Sequence, residues 1–180
     1  MPVVILDRDG VINRDSPEFI KSPAEWEALP GSLEAIASLC RNGFRVAVAS
    51  NQSGVGRGLF DLATLHAIND RMRRAVENSG GHLAVVECCP HHPDAGCDCR
   101  KPRTGLLRRV ARALGTDLDG VPCIGDSARD MEAATAVGAR PILVLTGNGQ
   151  RTLDAGIDTG VEVFLDLAAA AAVLVRERRQ

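Results

Sequence analysis

Short apolar runs rich in β-branched residues alternate along this chain with longer segments whose apolar residues recur every three or four positions. The first pattern marks strands and the second amphipathic helices, and their alternation predicts an α/β fold built on a parallel sheet with crossover helices. Strands are expected at Val3 to Leu6, Arg45 to Ala49, Leu83 to Glu87, Pro122 to Ile124, Ile142 to Leu145 and Val161 to Phe164. Most are too apolar to keep a wet face. Leu62, Leu65, Ile68, Met72 and Val76 form one helical stripe behind a cap at Asp61, and Leu106, Leu107, Val110 and Leu114 form another that stops at Gly115. Shorter stripes comprise Leu33, Ile36 and Cys40 before Gly43, Met131, Ala134 and Val137 before Gly138, and Leu167, Ala171 and Leu174 near the C-terminus. Between Gly10 and Leu33, Pro17, Pro23 and Pro30 and a lack of periodicity predict a loop or short flap, too short for a lid domain.

A length of 180 residues with no internal repeat or linker predicts one domain over residues 1–180. With 21 basic and 23 acidic residues the net charge is -2, which argues against nucleic acid or an anionic membrane as partner. Aromatic residues, 3% of the chain, leave little to stack on bases. The apolar run after Met1-Pro2 is too short for a signal peptide or a membrane span, so a cytoplasmic location is expected. In that reducing compartment the six cysteines read as buried thiols or metal ligands. No long apolar patch demands a second subunit, and a monomer is expected.

The first run ends in Asp7-Arg8-Asp9-Gly10. Two carboxylates at the mouth of a buried strand repel one another and resist desolvation. Such a pair suits a divalent cation, or divides a nucleophile from a proton donor, although in isolation it reads more often as a solvated turn. A parallel sheet delivers every strand's carboxyl end to one edge, where ligands bind. There the second strand brings Ser50-Asn51-Gln52-Ser53-Gly54 and the fourth Gly125-Asp126-Ser127, while the third leads through a loop to Arg100 and Lys101. Together these residue types fit phosphate monoester hydrolysis. Asp7 is the expected nucleophile and Asp9 the acid that later serves as base. Asp7, Asp9 and Asp126 are the expected Mg2+ ligands, and Ser50 and Lys101 hold the non-bridging oxygens. Asp130, one helical turn on, is expected only as a supporting or solvated acid. Gly54-Val55-Gly56-Arg57-Gly58 lacks the dinucleotide-binding spacing and does not follow the first strand, so a nucleotide-binding module is not favoured.

Within residues 88–102, Cys89-Pro90-His91-His92 and Cys97-Asp98-Cys99 place thiols and imidazole close together in a loop poor in apolar residues. This predicts a closed structural Zn2+ site that pins the loop and thereby sets Arg100 and Lys101. His92 could compete with His91, and Cys88 with Cys89. Cys40 and Cys123 read as small buried hydrophobes. Arg100 offers a bidentate clamp suited to a second phosphate.

Asp7-Arg8-Asp9-Gly10, Ser50, Lys101 and Gly125-Asp126 resemble, in order, the four motifs of the haloacid dehalogenase superfamily. The resemblance implies a Rossmann-like sheet with helices on both faces, no large cap domain and Mg2+ dependence. An acid at the position of Asp9 looks like the phosphatase branch. The Cys-Pro-His loop followed by Cys-x-Cys-Arg-Lys-Pro is similar to the zinc-containing histidinol-phosphatase-like subgroup. By that resemblance Zn2+ sits on Cys89, His91, Cys97 and Cys99, Arg100 recognises substrate beside Lys101, and Asp15, Ser16, Pro17 and Glu18 with Asn51, Gln52 and Ser53 border a sugar. The substrate implied is a heptose 1,7-bisphosphate that loses its C7 phosphate, on the way to nucleotide-activated heptose for lipopolysaccharide core or surface glycan. Histidinol phosphate is the alternative, and a non-catalytic phosphosugar-binding protein a remoter one. Ser127 stands where relatives carry lysine.

Overall fold

Alternation of side chains along the central strands sets the layering. In β1 (Val3–Leu6) Val4 and Leu6 enter one core and Val3 and Ile5 the other, and all four are buried, as in a strand covered on both faces. In β2 (Arg45–Asn51) Val46 and Val48 join the first core, Ala47 and Ala49 the second. The computed structural model describes residues 1–180. With β3 (Leu83–Cys89), β4 (Pro122–Gly125), β5 (Arg140–Val144) and β6 (Glu162–Phe164) these strands form one parallel sheet in the order β3-β2-β1-β4-β5-β6. Helices α1 (Ser32–Arg41), α2 (Leu62–Asn78) and α6 (Leu167–Arg179) feed the core on the Val4 side, and α3 (Gly105–Leu114) and α4 (Ala128–Thr135) the core on the Ile5 side. The expected Rossmann-like α/β architecture is therefore present.

In α2 the Asp61 carboxylate accepts from Thr64 N at 2.7 Å, and Leu65, Ile68, Met72 and Val76 are buried. Each such side chain contributes about 1.5–3 kcal/mol by leaving water. Leu62, expected in that stripe, is 51% exposed, because it opens the helix on the solvent side. Strands β2 and β3 run two residues past their expected ends, since Ser50 pairs with Cys88 and Asn51 with Cys89 in the ladder. As an edge strand β3 is half-exposed along much of its length, contrary to the expectation of two dry faces. A helix the periodicity did not reveal, α5 (Gly149–Ala155), is seven residues long and buries only Gly149, so it carries no apolar stripe. Cys123 is buried as expected. Cys40 is half-buried, its Sγ donating to the His82 carbonyl oxygen at 3.3 Å. No helix is long and apolar enough to cross a membrane.

From β1 the chain winds outward through β2 to β3, then returns to lay β4 beside β1 and winds the other way through β5 to β6. The reversal opens a crevice at the carboxyl ends of β1 and β4, where sheets of this kind bind ligands. The loops after β1 and β5 meet there at Gly10 (φ +80°) and Gly147 (φ +59°), and a Cβ on either would run into the Asp126 carboxylate. The stretch between Gly10 and α1 holds a single 3-10 turn, Pro23–Glu25, in keeping with a flap.

Candidate active site

Asp7 follows β1 directly, and its N–H donates to the Ile124 carbonyl at 2.8 Å, which ties the ends of β1 and β4 together. Its carboxylate oxygen lies 3.2 Å from Lys101 Nζ, which also meets Asp130 Oδ1 at 2.5 Å and donates to the Ala49 carbonyl at 2.7 Å. Carboxylate oxygens of Asp7, Asp126 and Asp130 lie within 4.8 Å of one another. Burial, together with Asp130 and Asp9, outweighs Lys101 and pushes Asp7 up to about 6; burial and the neighbouring Asp7 push Asp126 up to about 7. Burial alone would lower Lys101, but Asp130 and Asp7 beside it hold the ammonium charged well above its ordinary range. Three carboxylates therefore face one ammonium. That leaves a surplus of about two negative charges in a hard-oxygen donor set, which fits Mg2+.

The Asp9 carboxylate turns away from this cluster. Its carboxylate accepts from Arg8 Nε (3.0 Å), Arg8 Nη2 (3.1 Å), Asn13 Nδ2 (2.9 Å) and Gln52 Nε2 (2.6 Å) and is not among the clustered oxygens. Burial raises Asp9, yet the Arg8 charge and these hydrogen bonds hold it below the usual carboxylate range. The third carboxylate of the cluster is that of Asp130. Its Oδ2 closes a capping box with Ser127 N and Oγ, and its other oxygen reaches Lys101, so this acid is buried and not solvated.

The residues after β2 are spent differently from expectation. Asn51 donates through Nδ2 to the Lys101 carbonyl and accepts from the Lys101 N–H, both at 3.0 Å, so it clamps the Lys101 backbone. Gln52 is buried with its amide between Asp9, Arg8 and Ser50. The Ser50 Oγ accepts from Gln52 Nε2 at 2.9 Å, which leaves its own hydrogen to donate. Asn51, Gln52 and Ser53 all line a cavity of about 290 Å3 whose wall also includes Asp15, Ser16 and Arg100. Pro17 and Glu18 do not line it: the turn closed by Phe19 N to the Ser16 carbonyl at 3.1 Å carries them toward solvent.

Several cavity residues carried no signal in periodicity. Asn148, after β5, donates to Asp126 Oδ2 through its N–H (2.7 Å) and Nδ2 (3.2 Å), and through Nδ2 to Asp15 Oδ2 (2.9 Å), so it links the flap to Asp126. The Thr146-Gly147-Asn148-Gly149 run at a strand's carboxyl end was the available clue. Phe19, at φ +63°, lines the cavity with Arg57 lying 5.8 Å from its ring centroid. Arg57 and Arg129 join Arg100 in the wall. Burial and these two like charges disfavour the Arg100 cation, and its Nη1 is buried without a hydrogen-bond partner. Three guanidiniums converging this way suit an anion.

Beside the cavity, Cys89 Sγ lies 3.1 Å from Cys99 Sγ and 3.6 Å from Cys97 Sγ, with Cys97 to Cys99 at 3.6 Å and His91 Nδ1 at 3.2 Å from Cys99 and 3.6 Å from Cys89. A tetrahedral Zn2+ with Zn–S near 2.3 Å sets sulfur–sulfur edges of about 3.8 Å, close to the two separations of 3.6 Å, and three thiols with one imidazole are a donor set of the kind that ion takes. All six cysteines are free. The competing candidates turn elsewhere: Cys88 accepts from Asn69 Nδ2 at 3.5 Å, and His92 Nδ1 accepts from Asp94 N at 3.2 Å. Arg103 braces the loop through the Gly96 and Cys97 carbonyls.

Residues 98–170 match the HAD-hydrolase-like family model. The chain is 54% identical to the D-glycero-beta-D-manno-heptose-1,7-bisphosphate 7-phosphatase of Bordetella bronchiseptica, over 98% of this chain and 99% of that one. It is 51% identical to the Pseudomonas aeruginosa protein of the same name, over 97% and 98%. The crystal structure of the B. bronchiseptica phosphatase, complexed with magnesium and phosphate, superposes with a TM-score of 0.95 over 98% of this chain and 99% of that one, at 54% identity. The D,D-heptose 1,7-bisphosphate phosphatase of Burkholderia thailandensis gives 0.78 at 44% identity, over 97% and 99%. With identity of this level along nearly the whole length, the chain belongs to the D-glycero-β-D-manno-heptose-1,7-bisphosphate 7-phosphatase family of HAD-like hydrolases.

Proposed function

We propose that the protein removes the C7 phosphate of D-glycero-β-D-manno-heptose 1,7-bisphosphate through an aspartyl-phosphate on Asp7. Its relatives are phosphatases of that sugar bisphosphate, and their names supply the anomer. Histidinol phosphate is not favoured. A carboxylate oxygen of Asp7 attacks phosphorus as the bond from phosphorus to the C7 oxygen breaks. Asp9 gives that oxygen a proton, then takes one from the water that opens the acyl phosphate. Lys101, fixed by three contacts, and the Ser50 hydroxyl hold non-bridging oxygens whose charge shifts in the transition state.

The observation that carries this reading is the surplus of buried negative charge at Asp7, Asp126 and Asp130 over the single Lys101 ammonium. Asp7 and Asp126, with Asp130 at hand, would hold Mg2+, which when bound supplies the neutralisation that lets a phosphate dianion approach carboxylates. Arg100 with Arg57 and Arg129 would take the C1 phosphate, and Asp15, Ser16 and Ser53 would border the sugar. Cys89, His91, Cys97 and Cys99 would hold a structural Zn2+ that keeps Arg100 and Lys101 in place. Reduced thiols of this kind suit the cytoplasm, where the enzyme would work as a monomer without nucleic acid, on a small phosphosugar that feeds nucleotide-activated heptose.

Phosphate release by pure protein with Mg2+ tests the reading, using both heptose bisphosphate anomers and histidinol phosphate. Faster turnover of the β heptose is expected, and Asp7→Asn should abolish it. Preference for histidinol phosphate would overturn the substrate, and native turnover by Asp7→Asn would overturn the mechanism.

A further inference from the structure

Phe19 is a large apolar side chain that belongs to neither core. It is half-buried, packs into neither hydrophobic cluster, and with Ile20 forms the only apolar part of a cavity wall otherwise built of charged and polar residues. Ile20 is 4% exposed and counts in the core on the Val4 side, so the Phe19 ring is the apolar surface that the cavity presents. Its backbone is equally unusual. Phe19 is the one non-glycine residue of the chain with positive φ, a conformation that crowds a Cβ and that glycine adopts freely. The turn sends two consecutive apolar residues apart, Ile20 into the core and Phe19 to the cavity. Such strain persists where the surroundings over-determine it, commonly at ligand sites. Glycine would make the bare turn more cheaply, so the ring itself has a use.

Arg57 supplies that use. Its Cζ lies 5.8 Å from the ring centroid, within reach of cation–π attraction, and neither a hydrogen bond nor a carboxylate holds the guanidinium. Arg57 is exposed and shares the cavity wall with Arg100 and Arg129. Three like charges drive one another apart, and a long side chain loose in solvent has much rotamer freedom to lose when it meets an anion. A ring face attracts the cation without using up its N–H donors, so Arg57 stays at the wall with those donors free for a phosphate. We propose that Phe19 is a positioning residue for Arg57, and that the pair sets selectivity for a substrate carrying a second phosphate besides the one cleaved. That role rests on the arginine wall taking the C1 phosphate.

Selectivity is read as the ratio of kcat/KM for heptose 1,7-bisphosphate to kcat/KM for heptose 7-phosphate, with Mg2+. Both substrates lose the same phosphate from the same carbon, so the steps at Asp7 and the water step are common to the two. Arg57→Ala should lower the ratio about tenfold or more, the worth of a hydrogen bond to a charged group. Phe19→Leu keeps apolar bulk without the ring face and should lower it about three- to fivefold, mostly through a higher KM for the bisphosphate, whereas Phe19→Tyr should keep the native ratio. Phe19→Gly suits the left-handed turn, so it folds, and should lose as much as Phe19→Leu. Arg57→Ala combined with Phe19→Leu should lose no more than Arg57→Ala alone, because the ring acts through the guanidinium. A native ratio in Phe19→Leu and Phe19→Gly, or losses that add fully in the double variant, would overturn the proposal. Should the native enzyme show no preference for the bisphosphate, the reading of the arginine wall falls and the role of Phe19 with it. If Arg57→Ala lowers the ratio while the Phe19 variants keep it, only the role of Phe19 falls.

Discussion

Replacing Lys101 with methionine removes a cation that is 4% exposed and held by Asp7 (3.2 Å), Asp130 (2.5 Å) and the Ala49 carbonyl (2.7 Å). The methionine fills most of the space but satisfies none of these groups. Breaking a buried ion pair by removing one partner costs about 3–5 kcal/mol, because the remaining charge stays buried and uncompensated. The Ala49 carbonyl adds about 1–3 kcal/mol if no water reaches it. The cost depends on pH through Asp7, which already sits at about 6 with Lys101 opposing the rise and moves higher without it. Below that value Asp7 is protonated and has less need of the ammonium. Urea unfolding in chelator should show a destabilisation of about 3–8 kcal/mol at pH 8 that shrinks by pH 5.5, while phosphate release at saturating substrate falls by about 100-fold or more. A destabilisation equal at both pH values, or activity within tenfold of native, would refute the assignment of Lys101 as the counter-charge to Asp7.

Asn51→Ala deletes both hydrogen bonds to the Lys101 backbone, so kcat should fall about tenfold or more while thermal unfolding shows a loss of about 2 kcal/mol, the sum of two ordinary bonds; unchanged kinetics would show that the clamp is dispensable. Asp7 and Asp126 sit at about 6 and 7, above their ordinary value, so the metal-free fold holds protons there that the unfolded chain has released. Stability from this source is therefore present below about pH 4 and lost as pH rises through 6 and 7, and Mg2+ should raise the melting temperature more at pH 8 than at pH 5. The reverse order would contradict the assignment. Metal analysis should find about one zinc per chain in the native protein and none in Cys99→Ser, whose kcat/KM falls about 100-fold as Arg100 and Lys101 lose their support.

How far the sequence could be read follows from what each residue answers to. Strands β1, β2 and β4 announced themselves because their buried runs end at the residues that carry chemistry, and those ends converge wherever a parallel sheet reverses. The clustered loop thiols were legible because covalent spacing keeps them close; which of Cys88 and Cys89, and of His91 and His92, joins the cluster needed the turn itself. Side-chain direction was not legible. Asn51 and Gln52 belong to a motif expected at the sugar, yet their amides are consumed by Lys101 and Asp9. Asp130 reads as a surface acid on a short helix, and only its capping box with Ser127 hinted that it folds inward. Asn148, Phe19, Arg57 and Arg129 reach the cavity from loops or helix ends, where no hydrophobic period marks an inward face.

On the proposed mechanism the crevice between β1 and β4 removes one particular phosphate from one sugar. Phosphorus NMR of the β heptose 1,7-bisphosphate incubated with the protein and Mg2+ tests it directly. The C7 signal should disappear with growth of inorganic phosphate while the C1 signal persists, and Asp7→Asn should leave both signals intact. Loss of the C1 phosphate, or no change in either, would contradict the account.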